Sequence, residues 1–154
     1  MDYIIKKVNN EEIDKGLALI WRTFKEFIAP DYTEEAVSHF KENRIDNPDY
    51  KQAYVNGIEV MYGAYVKGEL AGVLSVKGGE FISCAFVDKK YHRMGIASGL
   101  FNKVLPILKE NGAKKIRLNS SPYAVPFYHS IGFKDISQQQ VYQGILFTPM
   151  ELIL

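Results

Sequence analysis

The stretch FVDKKYHRMGIASGLF, residues 86–101, gathers four basic side chains, Lys89, Lys90, His92 and Arg93, just ahead of Gly95 and a helical pattern. A helix that begins directly after a strand presents backbone N–H groups with no acceptor inside the helix. Together with the helix dipole these favour an anion. Glycine at 95 and alanine at 97 keep bulk away from those amides, so a phosphate can approach the backbone. The chemistry on offer is phosphate binding, with the basic groups adding attraction. Taken alone, the same residues also suit a charged surface turn tightened by a glycine.

Elsewhere the chemistry-bearing residues are scattered. His39, His92 and His129 share no ligand spacing with cysteine or acidic groups, so no metal site is expected. Cys84 is the one cysteine, which excludes an intrachain disulfide and fits a reducing compartment. Inside FISCAFV it reads as a small buried thiol. The formal net charge of +1 supplies no global pull toward nucleic acid or membrane, so any anion preference is local. Apolar residues make up 47% and charged residues 24%, an ordinary globular balance that excludes disorder. MDYIIKKVNNEE lacks a basic segment followed by an apolar one, and no run has the length of a membrane span. The expectation is a cytoplasmic protein with one domain over residues 1–154.

The elements that must position the basic turn follow from periodicity. YIIKKV (3–8) is a strand candidate. Ile13, Leu17, Ile20, Phe24 and Phe27 recur at helical spacing, giving one long amphipathic helix that stops near Pro30. DYTEEAVSHFKENRI restarts helix with Asp31 or Thr33 as cap, and DNPDYKQAYVNG reads as a polar loop. VMYGAYV, ELAGVLSV and EFISCAFV are strand-like runs parted by KG and KGG, an antiparallel meander. Residues 96–111 form a helix that Gly112 ends, with Pro106 expected to kink it or weaken its last turn. KKIRLN is a strand, SPYAVPFYHSIGF a short helix, and KDIS and ILFTPMELIL close the chain as strands, with Pro149 marking a bulge or an edge. The order β-α-α-β-β-β-α-β-α-β-β predicts an α/β fold of the α+β type, a mixed and mainly antiparallel central sheet flanked by helices.

With that order in place, two motifs resemble those of the GNAT superfamily of acyl-CoA-dependent N-acetyltransferases. The family's phosphate loop, Gln/Arg-x-x-Gly-x-Gly/Ala after a strand ending in valine, reads here as Val87 and then His92-Arg93-Met94-Gly95-Ile96-Ala97. Its later signature, an alanine four residues before a tyrosine and then Gly-Phe, reads as Ala124, Tyr128 and Gly132-Phe133. His92 stands where glutamine or arginine is usual, and Ser121 where asparagine is common. The resemblance spans the chain and implies a GNAT-like sheet.

It further implies acetyl-CoA as acyl donor. The pyrophosphate would lie over the amides of Arg93, Met94, Gly95, Ile96 and Ala97. The pantetheine arm would run beside Phe86 and Val87 as an added strand, and Ser121 would be a further contact. A backbone N–H near Val87 would stabilise the oxyanion, and Tyr128 would donate a proton to the departing thiolate. Glu80, at the start of the third meander strand, is the implied base; Glu26, Asp31, His39 and His129 are alternatives, as is ordered water.

The resemblance also implies an amine acceptor, a small molecule or a peptide, framed by the N-terminal helices and the final hairpin, where Phe24, Phe27, Tyr32, Phe40 and Tyr142 are the large groups. APDYTEE sets acid beside that mouth, which suits a cationic amine; the same acids also suit a helix start. Dimers are common among relatives. Two other classes compete with the enzyme: a non-catalytic acyl-CoA sensor or partner-binding module on the same fold, and a nucleic-acid binder. The last is disfavoured by the near-zero net charge and by the lack of aromatics among the basic residues.

Overall fold

Side chains alternate across a strand, and in the central strands both faces are apolar. Along β3 (Glu69–Lys77), Val73 packs to one side and Leu74 to the other, both fully buried. A strand covered on both faces shows no polar alternation, which is why ELAGVLSV reads as a continuous apolar run. A computed structural model describes residues 2–154. Its other strands are β1 (Ile4–Lys7), β2 (Glu59–Val66), β4 (Phe81–Val87), β5 (Lys115–Ser120), β6 (Lys134–Asp135), β7 (Gln140–Tyr142) and β8 (Ile145–Ile153). The hydrogen-bonded order is β1-β2-β3-β4-β5-β8-β6, with β7 pairing the first residues of β8. Among the described residues every pairing is antiparallel except that of β4 with β5.

Helices α1 (Ile13–Thr23), α2 (Glu34–Phe40) and α3 (Pro48–Val55) cover one face, where Leu17, Ile20, Phe40 and Tyr54 pack with Val73 and Cys84. Helices α4 (Ile96–Glu110) and α5 (Val125–Ser130) cover the other, where Leu100, Phe101, Val104 and Tyr128 pack with Leu74 and Ile116. Each buried apolar side chain contributes roughly 1.5–3 kcal/mol. None of the described helices is long and apolar enough to cross a membrane.

The expected architecture is present, with differences of detail. DNPDYKQAYVNG holds α3 instead of a loop: Asn47 accepts the Asp49 N–H at 2.9 Å and Pro48 opens the helix. Only Tyr54 of α3 is buried, so no apolar stripe announces it. β7 has three exposed residues and exists through its pairing with β8 alone. Thr33, rather than Asp31, caps α2 by accepting the Ala36 N–H at 3.1 Å. Pro106 lies within α4 without ending it, since Val104 and Leu108 stay buried on either side. Pro149 falls on β8 between the stretches that pair with β7 and with β6, a gap that tolerates a missing donor.

Two irregularities shape the molecule's open side. In β4 the register shifts between Ser75↔Cys84 and Val76↔Ile82, leaving Ser83 as an extra residue. This bulge reverses the alternation, so Ile82 packs with α4 while Cys84 and Phe86 turn toward α1. At the same level β4 leaves its neighbour: it pairs with β5 only through Phe81↔Arg117 and Ile82↔Leu118. The second irregularity is helical. The segments following α1 and α2, Phe24–Ile28 and Lys41–Ile45, widen into π-helix. There the Ala29 N–H reaches back to Phe24 O, and the Asp46 N–H to Lys41 O at 2.9 Å.

Candidate active site

The parting of β4 from β5 opens a cavity of about 1030 Å³ that extends from the start of α4 to the two π-helical segments. At the α4 end the wall is main chain. Arg93 and Gly95 are left-handed (φ +66° and +74°) on either side of Met94, an alternation that turns successive amides inward. Glycine is needed at 95, and a Cβ built there would meet nothing within 4 Å, so the space over the turn is open. The first hydrogen bond of α4 runs from the Gly99 N–H to Gly95 O at 2.9 Å. The amides of Ile96, Ala97 and Ser98 therefore have no acceptor in the helix, and all three residues line the cavity. The Tyr3 hydroxyl donates to Gly95 O at 3.3 Å, tying the turn to the first strand.

The basic residues of the turn divide. Lys89 pairs with Glu26 at 2.9 Å and Lys90 with Glu69 at 3.4 Å; neither lines the cavity. Those carboxylates raise both lysine pKa values. Arg93 is exposed at the rim and has no ion pair among the described residues. His92 turns its Nε2 to Val87 O at 2.9 Å and stacks on Phe27, with ring centroids 4.8 Å apart. Since a carbonyl only accepts, Nε2 carries the proton. The ring thus locks the end of β4.

Midway, Tyr128 joins the wall. Its ring meets Phe101, Phe127 and Phe133 edge to face, at 5.7, 5.4 and 5.6 Å between centroids. Its hydroxyl has no hydrogen-bond partner among the described residues and faces the cavity. Burial, with a smaller contribution from the neighbouring Cys84, raises its pKa above the ordinary tyrosine value, so it holds its proton. Packing and exposure of the hydroxyl coexist in one side chain.

Of the sequence-predicted residues, Phe86, Val87, His92, Arg93, Gly95, Ile96, Ala97, Ser121 and Tyr128 line this one cavity. Met94 does not, although its main chain shapes the turn. Glu80 does not either. It is the exposed last residue of the β3–β4 turn, its carbonyl accepting the Arg117 N–H at 2.9 Å, whereas β4 begins at Phe81. A side chain in water there is outside the cavity wall. Asp31, Glu34 and Glu35 are likewise exposed and absent from the wall, and His39 and His129 bond Asn43 and Asp135.

The far end is aromatic. Phe24, Tyr32, Phe40 and Tyr142 line it, and Phe27, stacked on His92, joins the cavity wall nearer the α4 end. Phe24 stacks flat on Phe40 at 3.8 Å, and the Tyr32 hydroxyl donates to Leu146 O at 3.2 Å, joining the helices to the β7–β8 hairpin. Sequence reasoning missed the polar group set among these rings. Arg44, on the second π-helical segment, lines the cavity and lies over Phe40 and Tyr50, at 5.3 and 5.7 Å from their centroids. Its Nη1 is 3.7 Å from Cys84 Sγ, to which Tyr50 also bonds at 3.3 Å. Behind them Tyr54 bonds Ser75, and Ser83 donates to the buried Glu59 at 2.8 Å. Burial raises the pKa of Cys84, Tyr50 and Tyr54, so all three are neutral. No local pattern marks Arg44.

The model of the acetyltransferase (GNAT) domain matches residues 28–154. The chain belongs to the GNAT acetyltransferase domain family. A GCN5-related N-acetyltransferase from Rhodopseudomonas palustris, described as an aminotransferase of class II, is 19% identical over all of this chain and 97% of that one, with a TM-score of 0.88. The PaiA N-acetyltransferase from Thermoplasma acidophilum, solved in complex with coenzyme A, is 18% identical over the whole of both chains, with a TM-score of 0.82. A GNAT-family acetyltransferase from Staphylococcus aureus Mu50 is 17% identical over 99% of each chain, with a TM-score of 0.71. No curated protein matches the chain. At these identities the solved GNAT structures share the fold, and the family model starts after α1.

Proposed function

We propose that the chain transfers an acetyl group from acetyl-CoA to a primary amine by direct attack in a ternary complex. One observation carries this reading: a single cavity joins free helix-start amides, the β4 edge that β5 leaves unpaired, and the protonated hydroxyl of Tyr128. The fold shared with a coenzyme A complex supports it. Acetyl-CoA supplies the activated acyl group.

The protein's own groups have separate tasks. The amides of Ile96, Ala97 and Ser98, with Arg93 at the rim, suit the pyrophosphate. The edge of β4 at Ala85 and Phe86 suits an extended arm carrying amide groups. Val87 O is already engaged by His92 and offers less. The Tyr128 hydroxyl, protonated and without a competing partner, donates to the departing thiolate. An alkyl amine has a pKa of about 10.4 and must lose a proton before it attacks. With Glu80 in the outer turn, water in the open cavity takes that proton.

Calorimetry with acetyl-CoA, repeated on Gly95→Glu, tests the donor site. Saturation at about 100 times Kd should also add about 2.7 kcal/mol of apparent stability. Release of free thiol on adding amines tests transfer. A folded protein that binds no acetyl-CoA overturns the reading.

A further inference from the structure

Arg44 is a cation in an apolar wall with too few partners. A guanidinium has five N–H donors, and the one contact recorded for them is the weak acceptor Cys84 Sγ. Among the described residues no oxygen accepts from it and no carboxylate lies within ion-pair distance. Its unpartnered nitrogens are not sealed in the core, since Thr23 Oγ1 is the one buried polar side-chain atom without a partner. They open on the cavity. Of the groups facing it, Cys84, Tyr50 and Tyr54 are neutral, which leaves Glu59, a carboxylate that attracts it from beyond ion-pair distance and whose Oε2 accepts from Ser83. An ionic group drawn partly out of water needs a partner, and a planar fork matches a carboxylate in two parallel bonds.

We infer that the acceptor, on the acetyltransferase reading above, is an apolar amine that also carries a carboxylate, such as an apolar amino acid, with the carboxylate paired to Arg44 and the apolar body against Phe24, Tyr32 and Tyr142. Three observations converge on this. The guanidinium sits beside Cys84 in the one cavity that Tyr128 also lines, so a carboxylate at Arg44 leaves its amine in the cavity that holds the reacting centre. The segments carrying Phe24 and Arg44 are both π-helical, a local irregularity that recurs at functional sites. The acids once expected at the mouth, Asp31, Glu34 and Glu35, are outside the cavity, so no carboxylate waits there for a simple cationic amine. A dianionic phosphate fits less well, because the cavity's other basic side chains, His92 and Arg93, belong to the α4 end.

The test pairs substrates that differ only by the carboxylate: phenylalanine with phenethylamine, and leucine with 3-methylbutylamine, read by thiol release. 3-Phenylpropanoate, which cannot accept an acetyl group, is the binding probe in calorimetry. The wild-type protein should prefer each amino acid by about tenfold or more in kcat/KM, and 3-phenylpropanoate should bind and compete with the amine but not with acetyl-CoA. In Arg44→Gln the amino acids should lose about 10- to 100-fold in kcat/KM, and their preference over the plain amines should collapse toward unity. Arg44→Lys should keep part of the preference, and acetyl-CoA affinity should stay constant throughout. Equal or better use of the plain amines by the wild type, with no binding of 3-phenylpropanoate, overturns the proposal even if the variants fold poorly. Absence of acetyl-CoA binding would instead overturn the transferase reading, and 3-phenylpropanoate binding would still decide the carboxylate site.

Discussion

At the α4 end of the cavity the groups that meet a ligand are backbone amides, those of Ile96, Ala97 and Ser98, shaped by a turn of six consecutive residues. At the aromatic end they are side chains: Phe24 from one π-helical segment, Arg44 from another, Cys84 from a bulged strand and Tyr142 from a hairpin tip. Backbone amides are the same in every sequence, so the first end is specified by where side chains are missing or φ is unusual. The second is specified by which side chains arrive, from positions more than a hundred residues apart. A fold family can keep the first end while changing the second residue by residue, and the family model, starting at residue 28, leaves Phe24 and Phe27 outside.

The largest effect should come from filling the backbone end. Gly95→Glu places a carboxylate over the free amides and an L side chain at φ +74°. Acetyl-CoA affinity should fall by more than about 100-fold, since charge repulsion and a blocked approach add to roughly 1–2 kcal/mol of left-handed strain. Gly95→Ala separates the contributions: its Cβ has open space, so it should lose stability yet bind within about tenfold of wild type. Equal damage from both would mean that conformation, not access to the amides, is what the glycine supplies.

Tyr128→Phe should come next. It keeps the ring among Phe101, Phe127 and Phe133 and removes only the hydroxyl. A fall of about 100-fold in kcat with unchanged acetyl-CoA Kd fits a proton donor; unchanged kcat would remove it from the chemistry. Because burial raises its pKa above about 10, the hydroxyl stays protonated across assay pH. The alkaline limb of the kcat profile should therefore not move in the variant. Stability tied to this neutral phenol is full below about pH 10 and is lost as pH rises toward the folded value, so the variant should resist alkaline unfolding better.

The backbone end was legible in the sequence for a physical reason. Gly95, Ala97 and the helix start are neighbours in the chain, and so are Tyr128, Gly132 and Phe133; local spacing carries their geometry. The order of strands was legible from the apolar runs and the glycine turns between them. Arg44 was not, because KENRI looks like any exposed helical turn until α2 folds against Phe24 and Cys84. Glu80 was misplaced by one residue's worth of turn, enough to move a carboxylate from a strand start into water. α3 and β7 bury too little to write a pattern: one rests on Asn47 and Pro48, the other on its partner strand.

A smaller effect should arise at the rim of the side-chain end. In the β7–β8 hairpin Gly144 has φ +80°, and a Cβ there would stand 3.0 Å from Thr33 Oγ1 and 3.2 Å from the Ala36 Cβ. Gly144→Ala should cost roughly 1–2 kcal/mol in a denaturant titration. By pushing the hairpin off α2 it should raise the acceptor KM without changing acetyl-CoA Kd. A change in Kd instead would mean that the two ends are mechanically linked.

His92→Ala should have the least effect and is the sharpest test of what the backbone end requires. Its Nε2 proton goes to Val87 O, not to the open space above the amides. A net hydrogen bond contributes about 0.5–1.5 kcal/mol, so acetyl-CoA affinity should weaken by between about twofold and tenfold. A hundredfold loss in the variant would mean that the ring leaves Val87 to meet the pyrophosphate. The α4 end would then depend on a side chain after all, and the contrast between the two ends would narrow to one of degree.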